Sequence, residues 1–192
     1  TRAAGWAREE KIQVVGDFDN IYRGVQALLA CTDYPVTSRD FPERLTGEPD
    51  LLKSLPRIFH EFKCRLTCAT IGRLGALAWD GRKFLLAPGF QVRAIDTTGA
   101  GDIFHGAFAY GLVKGWPAVD VLEFSCAAAA LNCTAVGARG GIATLLEINR
   151  LRLGGRRSEP AFSPREMEAA AAAAHDAGLT RNPLPHLDRV SE

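Results

Sequence analysis

Two periods of apolar and polar positions take turns along this chain, and the switches between them predict its elements. Residues 3–11 are helix-like and charged. Residues 12–16 form a short apolar run that hands over to Asp17, Asp19 and Asn20, the pattern of a buried strand leading into a capped helix, on which Ile21, Val25, Leu28 and Leu29 recur at helical spacing. A second short strand is predicted over 34–37, with Ser38 as the N-cap of a two-turn helix that Gly47 closes. Leu51, Leu52, Leu55, Ile58, Phe59 and Phe62 make another helical stripe, in which Pro56 forces either a kink or a start at Leu55 with Ser54 as cap. A strand over 65–70 and a hairpin, 76–79 with 83–86 around Asp80-Gly81, follow.

Downstream, residues 92–95 run into the turn Asp96-Thr97-Thr98-Gly99-Ala100-Gly101-Asp102, and a helix carrying Ile103, Phe104, Ala107, Phe108 and Leu112 starts there. Residues 119–136 are apolar on nearly all sides, with four consecutive alanines at 127–130, which predicts a buried helix ended by the glycines of 137–141. Thr144 with Glu147, and Ser163 with Glu166, each match a capping box, the second with Pro164 at the first helical position. The last helix, ending at Gly178, is alanine-rich and has little to bury, so it is expected to be peripheral, with residues 179–192 mobile. Strands alternating with helices make this an α/β chain.

Composition narrows the partners. With 192 residues and 47% hydrophobic content the chain can bury a core, and 23 basic against 22 acidic residues leave a net charge of +1. Neither a nucleic acid nor an anionic membrane surface is favoured, and the tryptophans Trp6, Trp79 and Trp116 form no stacking array. The uncharged stretch 124–138 is too short to span a bilayer. Five cysteines, Cys31, Cys64, Cys68, Cys126 and Cys133, sit in apolar segments and read as buried thiols in a reducing cytoplasm. Cys64 and Cys68 would stand about 13 Å apart on one strand face, too far to share a zinc ion. The chain opens inside a helix-like stretch without a methionine, which predicts a fragment of something longer.

The chemistry concentrates at 96–102. A helix N-terminus presents unpaired N–H groups and a partial positive charge, and Gly99, Ala100 and Gly101 carry nothing larger than a methyl, so an anion can approach the backbone beside the Asp102 carboxylate. An anion cradle next to a base suits phosphoryl transfer to an alcohol, which asks for positioning, charge neutralisation and a proton acceptor. A lone Gly-x-Gly-Asp is also what a helix cap after a glycine turn looks like, so context decides.

That context is a resemblance. Residues 96–109, DTTGAGDIFHGAFA, match the C-terminal signature of the ribokinase-like (PfkB-type) carbohydrate kinases; Thr70-Ile71-Gly72-Arg73-Leu74-Gly75-Ala76 resembles that family's nucleotide-contacting strand and turn, and Gly137-Ala138-Arg139-Gly140-Gly141 its late glycine loop. The resemblance covers residues 12–142 and implies a Rossmann-like three-layer α/β/α fold whose N-terminal part and lid are missing. It assigns residues 1–155 to the nucleotide-binding and catalytic part, leaving 156–192 as an Ala-rich helix and tail. It implies ATP and Mg²⁺ as cofactors and a small-molecule sugar as acceptor. It makes Asp102 the base, the amides of Gly99, Ala100, Gly101 and Asp102 an anion hole, and Thr70, Gly72, Gly75, Cys126 and Gly137 neighbours of the nucleotide. A monovalent cation, K⁺, is expected at Asp96 and Thr98.

Departures also count. The family's Asn-x-x-Glu motif falls on Ser38-Arg39-Asp40-Phe41, so Mg²⁺ would be held mainly through water and phosphates, with Asp40 the nearby carboxylate. Asp17 and Asp19 stand at strand ends, with helix capping the simpler role for Asp19. His105, one turn past Asp102, is expected to cap or pack, and Arg73 and Arg139 sit in loops where a guanidinium could meet phosphate. A rival reading is a truncated relative that binds nucleotide or a partner chain without catalysis. A lost covering half would expose sheet edge and apolar surface and predicts self-association, a homodimer being one form. Dinucleotide redox chemistry would need a Gly-x-Gly-x-x-Gly run after an early strand, and none exists.

Overall fold

The computed structural model describes residues 1–179, so the stretch expected to be mobile lies, apart from Leu179, outside the described residues. In chain order the elements are α1 (Arg2–Glu9), β1 (Val15–Phe18), α2 (Val25–Leu29), β2 (Tyr34–Thr37), α3 (Phe41–Thr46), α4 (Leu51–Phe62), β3 (Thr67–Thr70), β4 (Gly75–Trp79), β5 (Phe84–Pro88), α5 (Ala100–Val113), α6 (Ala118–Asn132), α7 (Leu145–Gly154) and α8 (Pro164–Asp176). The strands form one sheet in the order β1-β2-β3-β4-β5. β1, β2 and β3 run parallel, with Val15 opposite Tyr34 and Val36 opposite Cys68. β4 and β5 close the sheet as a hairpin, whose turn is fixed by the Asp80 carboxylate accepting the N–H groups of Arg82 and Lys83, both at 2.8 Å.

Several local expectations shift. The first strand sits three residues later than the apolar run 12–16, because residue 14 is tied instead to Asp33: Val14 N–H donates to the Asp33 carboxylate and Val14 C=O accepts from Asp33 and Tyr34. α2 keeps only five residues, since Gly24 turns left-handed (φ 90°) ahead of it and leaves Ile21 and Tyr22 exposed. Ser38 is no cap; its N–H extends the β1–β2 ladder onto Phe18 C=O, and α3 begins at Phe41 with Pro42 in its first turn. α4 starts before the proline, because the Asp50 carboxylate caps Leu52 N–H at 2.9 Å. A proline inside a helix costs roughly 3 kcal/mol. The five large apolar side chains that α4 buries, Leu51, Leu52, Leu55, Ile58 and Phe59, each return about 1.5–3 kcal/mol and outweigh it.

By contacts the described chain divides into two interleaved units. The first comprises Thr1–Thr70, Leu77–Leu85 and the described residues from Phe162 onward. Its core gathers Phe18, Val25, Leu29 and Phe41 with Leu28, Leu45 and Phe62 packed on them. The alanine-rich α8 has more to hold than its composition suggests: it packs on α4, and His175 Nε2 meets Arg82 C=O at 3.0 Å with its ring edge toward the buried Trp79.

The second unit comprises Ile71–Ala76 and Leu86–Ala161. α5 lies along α6, and α6 along α7. Phe104 and Phe108 of α5 and Val121, Leu122, Phe124, Ala127 and Ala128 of α6 are buried, as the all-round apolar pattern requires. Arg152 of α7 reaches Asp120 at 2.9 Å, and Arg157 reaches Glu123 at 3.1 Å while stacking on Phe90, so the helix pair is latched at its rim. Among the described residues no helix is long and apolar enough to cross a membrane.

Candidate functional site

The turn before α5 is built by contacts from far along the chain. Cys133 C=O accepts the N–H groups of Ile95 (2.7 Å) and Asp96 (3.3 Å). The Asp96 carboxylate then clamps two loops, one oxygen on Thr98 N–H at 2.9 Å and the other on Gly137 N–H at 2.8 Å. Hydrogen bonds from Thr98, and after them from Gly137, hold its carboxyl below the ordinary aspartate value, because donors favour the charged form. Asn132 Nδ2 donates to Thr98 C=O at 3.2 Å. Gly99 takes the left-handed conformation (φ 75°) hard against Ala138, where a Cβ would come within 2.8 Å of three Ala138 atoms.

Gly99 occupies the N-cap position of α5, with no side chain capping it. Ala100 N–H closes the turn onto Thr97 C=O at 3.2 Å, and Ile103 N–H begins the helix ladder onto Gly99 C=O at 3.0 Å. The N–H groups of Gly99, Gly101 and Asp102 pair with no described residue. These are the orphan donors that a helix start leaves over, and they suit an anion. Asp102 is the third residue of α5 and exposed. It is the one charged residue in the lining of a cleft of about 230 Å³, otherwise formed by apolar surface such as Ile103, Ala107, Phe124, Ala128 and Ile142. Within one helical turn the chain therefore offers unpaired backbone donors and an open carboxylate.

His105 Nδ1 lies 2.7 Å from Gly101 C=O, so this ring is held by the helix backbone. Two of the candidate nucleotide neighbours meet at one atom. Gly75 (φ 105°) leaves room for Ala87 C=O, and Cys126 Sγ donates to the same carbonyl at 3.7 Å. Cys126 is buried, and that desolvation pushes its thiol up to about 12. Gly72 lies exposed in the single 3₁₀ turn Gly72–Leu74, and Arg73 C=O there accepts Ser158 Oγ at 2.9 Å. Arg139 is exposed in the loop after α6. Thr70 ends the first unit, its hydroxyl on Thr37 C=O at 3.2 Å. Asp17, Asp19 and Asp40 also belong to that unit and are exposed, Asp19 accepting from Asn20 at 3.2 Å.

Among the described residues no three His, Cys, Asp or Glu side chains converge on a point. The surroundings of Asp96 nevertheless fit a hard monovalent cation, since the donors at hand are its carboxylate and the main-chain carbonyl of Thr98. Asn132 and Ala138 are the participants that sequence patterns alone pass over. The available signal was a single carboxamide at the end of the apolar run that closes α6.

Comparison with known proteins gives the chain a family and a fold. The model of the pfkB family carbohydrate kinases matches residues 7–145. A ribokinase of Bacillus subtilis is 42% identical over 82 residues, covering 43% of this chain and 28% of its own length. Among solved structures, ribokinase from Thermotoga maritima superposes with a TM-score of 0.66 at 26% identity, covering 77% of this chain and 51% of its own. Fructokinase from Vibrio cholerae, solved with fructose, ADP and calcium ion, does so with a TM-score of 0.67 at 25% identity, covering 77% and 53%. The chain thus spans between 18% and 40% of the length of the curated relatives it matches and about half of the solved ones. The likeness is of a ribokinase-like α/β fold of which this chain forms a part.

Proposed function

Because this chain belongs to the pfkB family of carbohydrate kinases, we propose that it transfers the terminal phosphate of ATP to a hydroxyl of a sugar, with Asp102 as the base. The observation that carries this reading is the adjacency at the start of α5: N–H groups of Gly99, Gly101 and Asp102 that pair with no described residue, next to an exposed carboxylate. As the sugar oxygen attacks phosphorus, Asp102 takes its proton, the bond from phosphorus to the bridging oxygen of ATP breaks so that ADP leaves with that oxygen, and the negative charge on the transferring phosphate is met by the backbone donors and the N-terminal end of the helix dipole. Ala100 contributes through its size and the turn it closes onto Thr97. The cleft wall beside Asp102 is apolar and offers the carboxylate no competing charge.

Gly75 and Cys126, converging on Ala87, together with Gly72 and Gly137, support a nucleotide seat in the second unit, and Thr70 belongs to the first. Magnesium arrives with ATP and supplies charge neutralisation on its phosphates. K⁺ fits the oxygen donors of Asp96 and Thr98, whose tie to Gly137 orders the turn carrying the cradle. Steady-state phosphorylation of a sugar panel by the full chain tests the assignment. Asp102→Asn should leave ATP affinity in place while kcat falls by about 10²–10⁴, the usual worth of a positioned base. Equal turnover in the variant would remove Asp102 from its role. ATP binding with no sugar phosphorylated would instead select nucleotide binding without transfer.

A further inference from the structure

Asn132 closes α6 with its side chain 0% exposed, among residues that are otherwise apolar apart from Ser125, whose hydroxyl is used within its own helix on Val121 C=O. Half of its carboxamide is engaged, Nδ2 donating to Thr98 C=O, 34 positions earlier in the chain. The other half is not, because Oδ1 is buried without a partner among the described residues. A buried amide left half satisfied weakens a fold, so packing stability does not account for it.

Its geometry does. Thr98 C=O and Gly99 N–H belong to one planar trans peptide unit, in which carbonyl and N–H point in opposite directions. Holding the carbonyl onto Asn132 therefore sends the Gly99 N–H away from α6. Gly99 accepts either sign of φ without penalty, so in the absence of that tie the plane can turn over and present a carbonyl where the donor stood. The neighbouring ties do not prevent this, since Asp96 grips Thr98 by its N–H, on the preceding peptide unit. We propose that Asn132 is a positioning residue of the phosphate cradle, setting the Thr98–Gly99 peptide plane so that the Gly99 N–H joins those of Gly101 and Asp102. This rests on the phosphoryl-transfer reading of the site.

The experiment compares the full wild-type chain with Asn132→Leu, which keeps the side-chain volume and removes the donor, and with Asp102→Asn. Turnover and sugar KM, affinities for Mg-ATP and Mg-ADP by calorimetry, and melting temperature are measured on each. Asn132→Leu should lose about 10-fold or more in kcat, as expected for misaiming one cradle donor. Its sugar KM and Mg-ADP affinity should stay within about twofold of wild type, Mg-ATP binding should weaken several-fold, and melting should be unchanged or higher, since an unpaired buried oxygen is gone. Unchanged kcat with an unchanged ATP-to-ADP ratio would overturn the assignment, and so would a parallel loss of melting temperature and of both nucleotide affinities, the mark of a purely structural residue. Should Asn132→Leu fail to fold, Asn132→Ala is put to the same ATP-against-ADP comparison, where the same outcomes support or overturn the assignment. A wild-type chain that phosphorylates no sugar, indistinguishable from Asp102→Asn, defeats the kinase reading and this inference together; an active wild type beside an equally active Asn132→Leu defeats the inference alone.

Discussion

Gly99→Ala is the sharpest probe of how the cradle is held. Two separate penalties meet there. The backbone is left-handed, with φ 75° and ψ 5°, which costs an L-residue with a side chain about 1–2 kcal/mol. The new methyl would also stand 2.8 Å from the Cα, Cβ and carbonyl oxygen of Ala138, and two of those three atoms are backbone that no rotamer change can move. Ordinary carbon contacts lie near 3.5–4.0 Å, so the turn must shift by about 1 Å. Overpacking of that kind costs a further 1–3 kcal/mol or so. The folded state should therefore lose roughly 2–5 kcal/mol, read as the urea midpoint at unchanged slope, unless the turn relaxes and gives up its aim instead. In that second case a misplacement of about 1 Å is worth about 10²-fold in turnover.

Gly101→Ala is the internal control. Nothing lies within 4 Å of a Cβ added there, and the residue is already helical, so stability should hold or rise by up to about 1 kcal/mol. Denaturation curves and phosphorylation rates on both variants separate the two cases. A Gly99→Ala chain as stable and as active as wild type, or a Gly101→Ala chain destabilised as badly, would show that neither the left-handed turn nor Ala138 holds the cradle.

The Asp96 clamp should be visible in acid: its carboxyl is held below the ordinary value of 3.8, so the contribution is in full above about pH 4 and is lost as pH falls through the lowered folded value. Urea midpoints between about pH 5 and pH 2.5 should therefore drop more steeply for wild type than for Asp96→Asn, and parallel curves would count against the clamp. Cys126, with its thiol pushed up to about 12 and its sulfur on Ala87 C=O, should resist alkylation in the native protein at about pH 8 and react only on unfolding. Mass-spectrometric labelling that finds it modified as fast as the half-buried Cys31 would count against its burial beside Ala87.

Much of this fold is written in local patterns. Both predicted capping boxes form, Thr144 with Glu147 and Ser163 with Glu166, because each needs only residues three apart. The stripe of α4 and the Asp80-Gly81 hairpin are legible for the same reason. The errors fall where a distant partner outbids local preference. Asp33 captures Val14 and moves the first strand, and Phe18 captures the Ser38 N–H that a cap would have left free.

The candidate site divides along the same line. Gly99 to Asp102 announce an anion cradle because glycines before a helix carboxylate are a property of neighbours in sequence. Which way each donor points is not such a property. It depends on Asp96 reaching Gly137, 41 positions on, and on Asn132 reaching back 34 to Thr98. Both contacts end on main-chain groups, which every residue possesses, so the recipients carry no sequence signature at all. A motif of this kind therefore fixes what chemistry the backbone can attempt, while the aim of that backbone is set by one carboxylate and one carboxamide. Substituting those two, with the motif itself left intact, separates the two contributions.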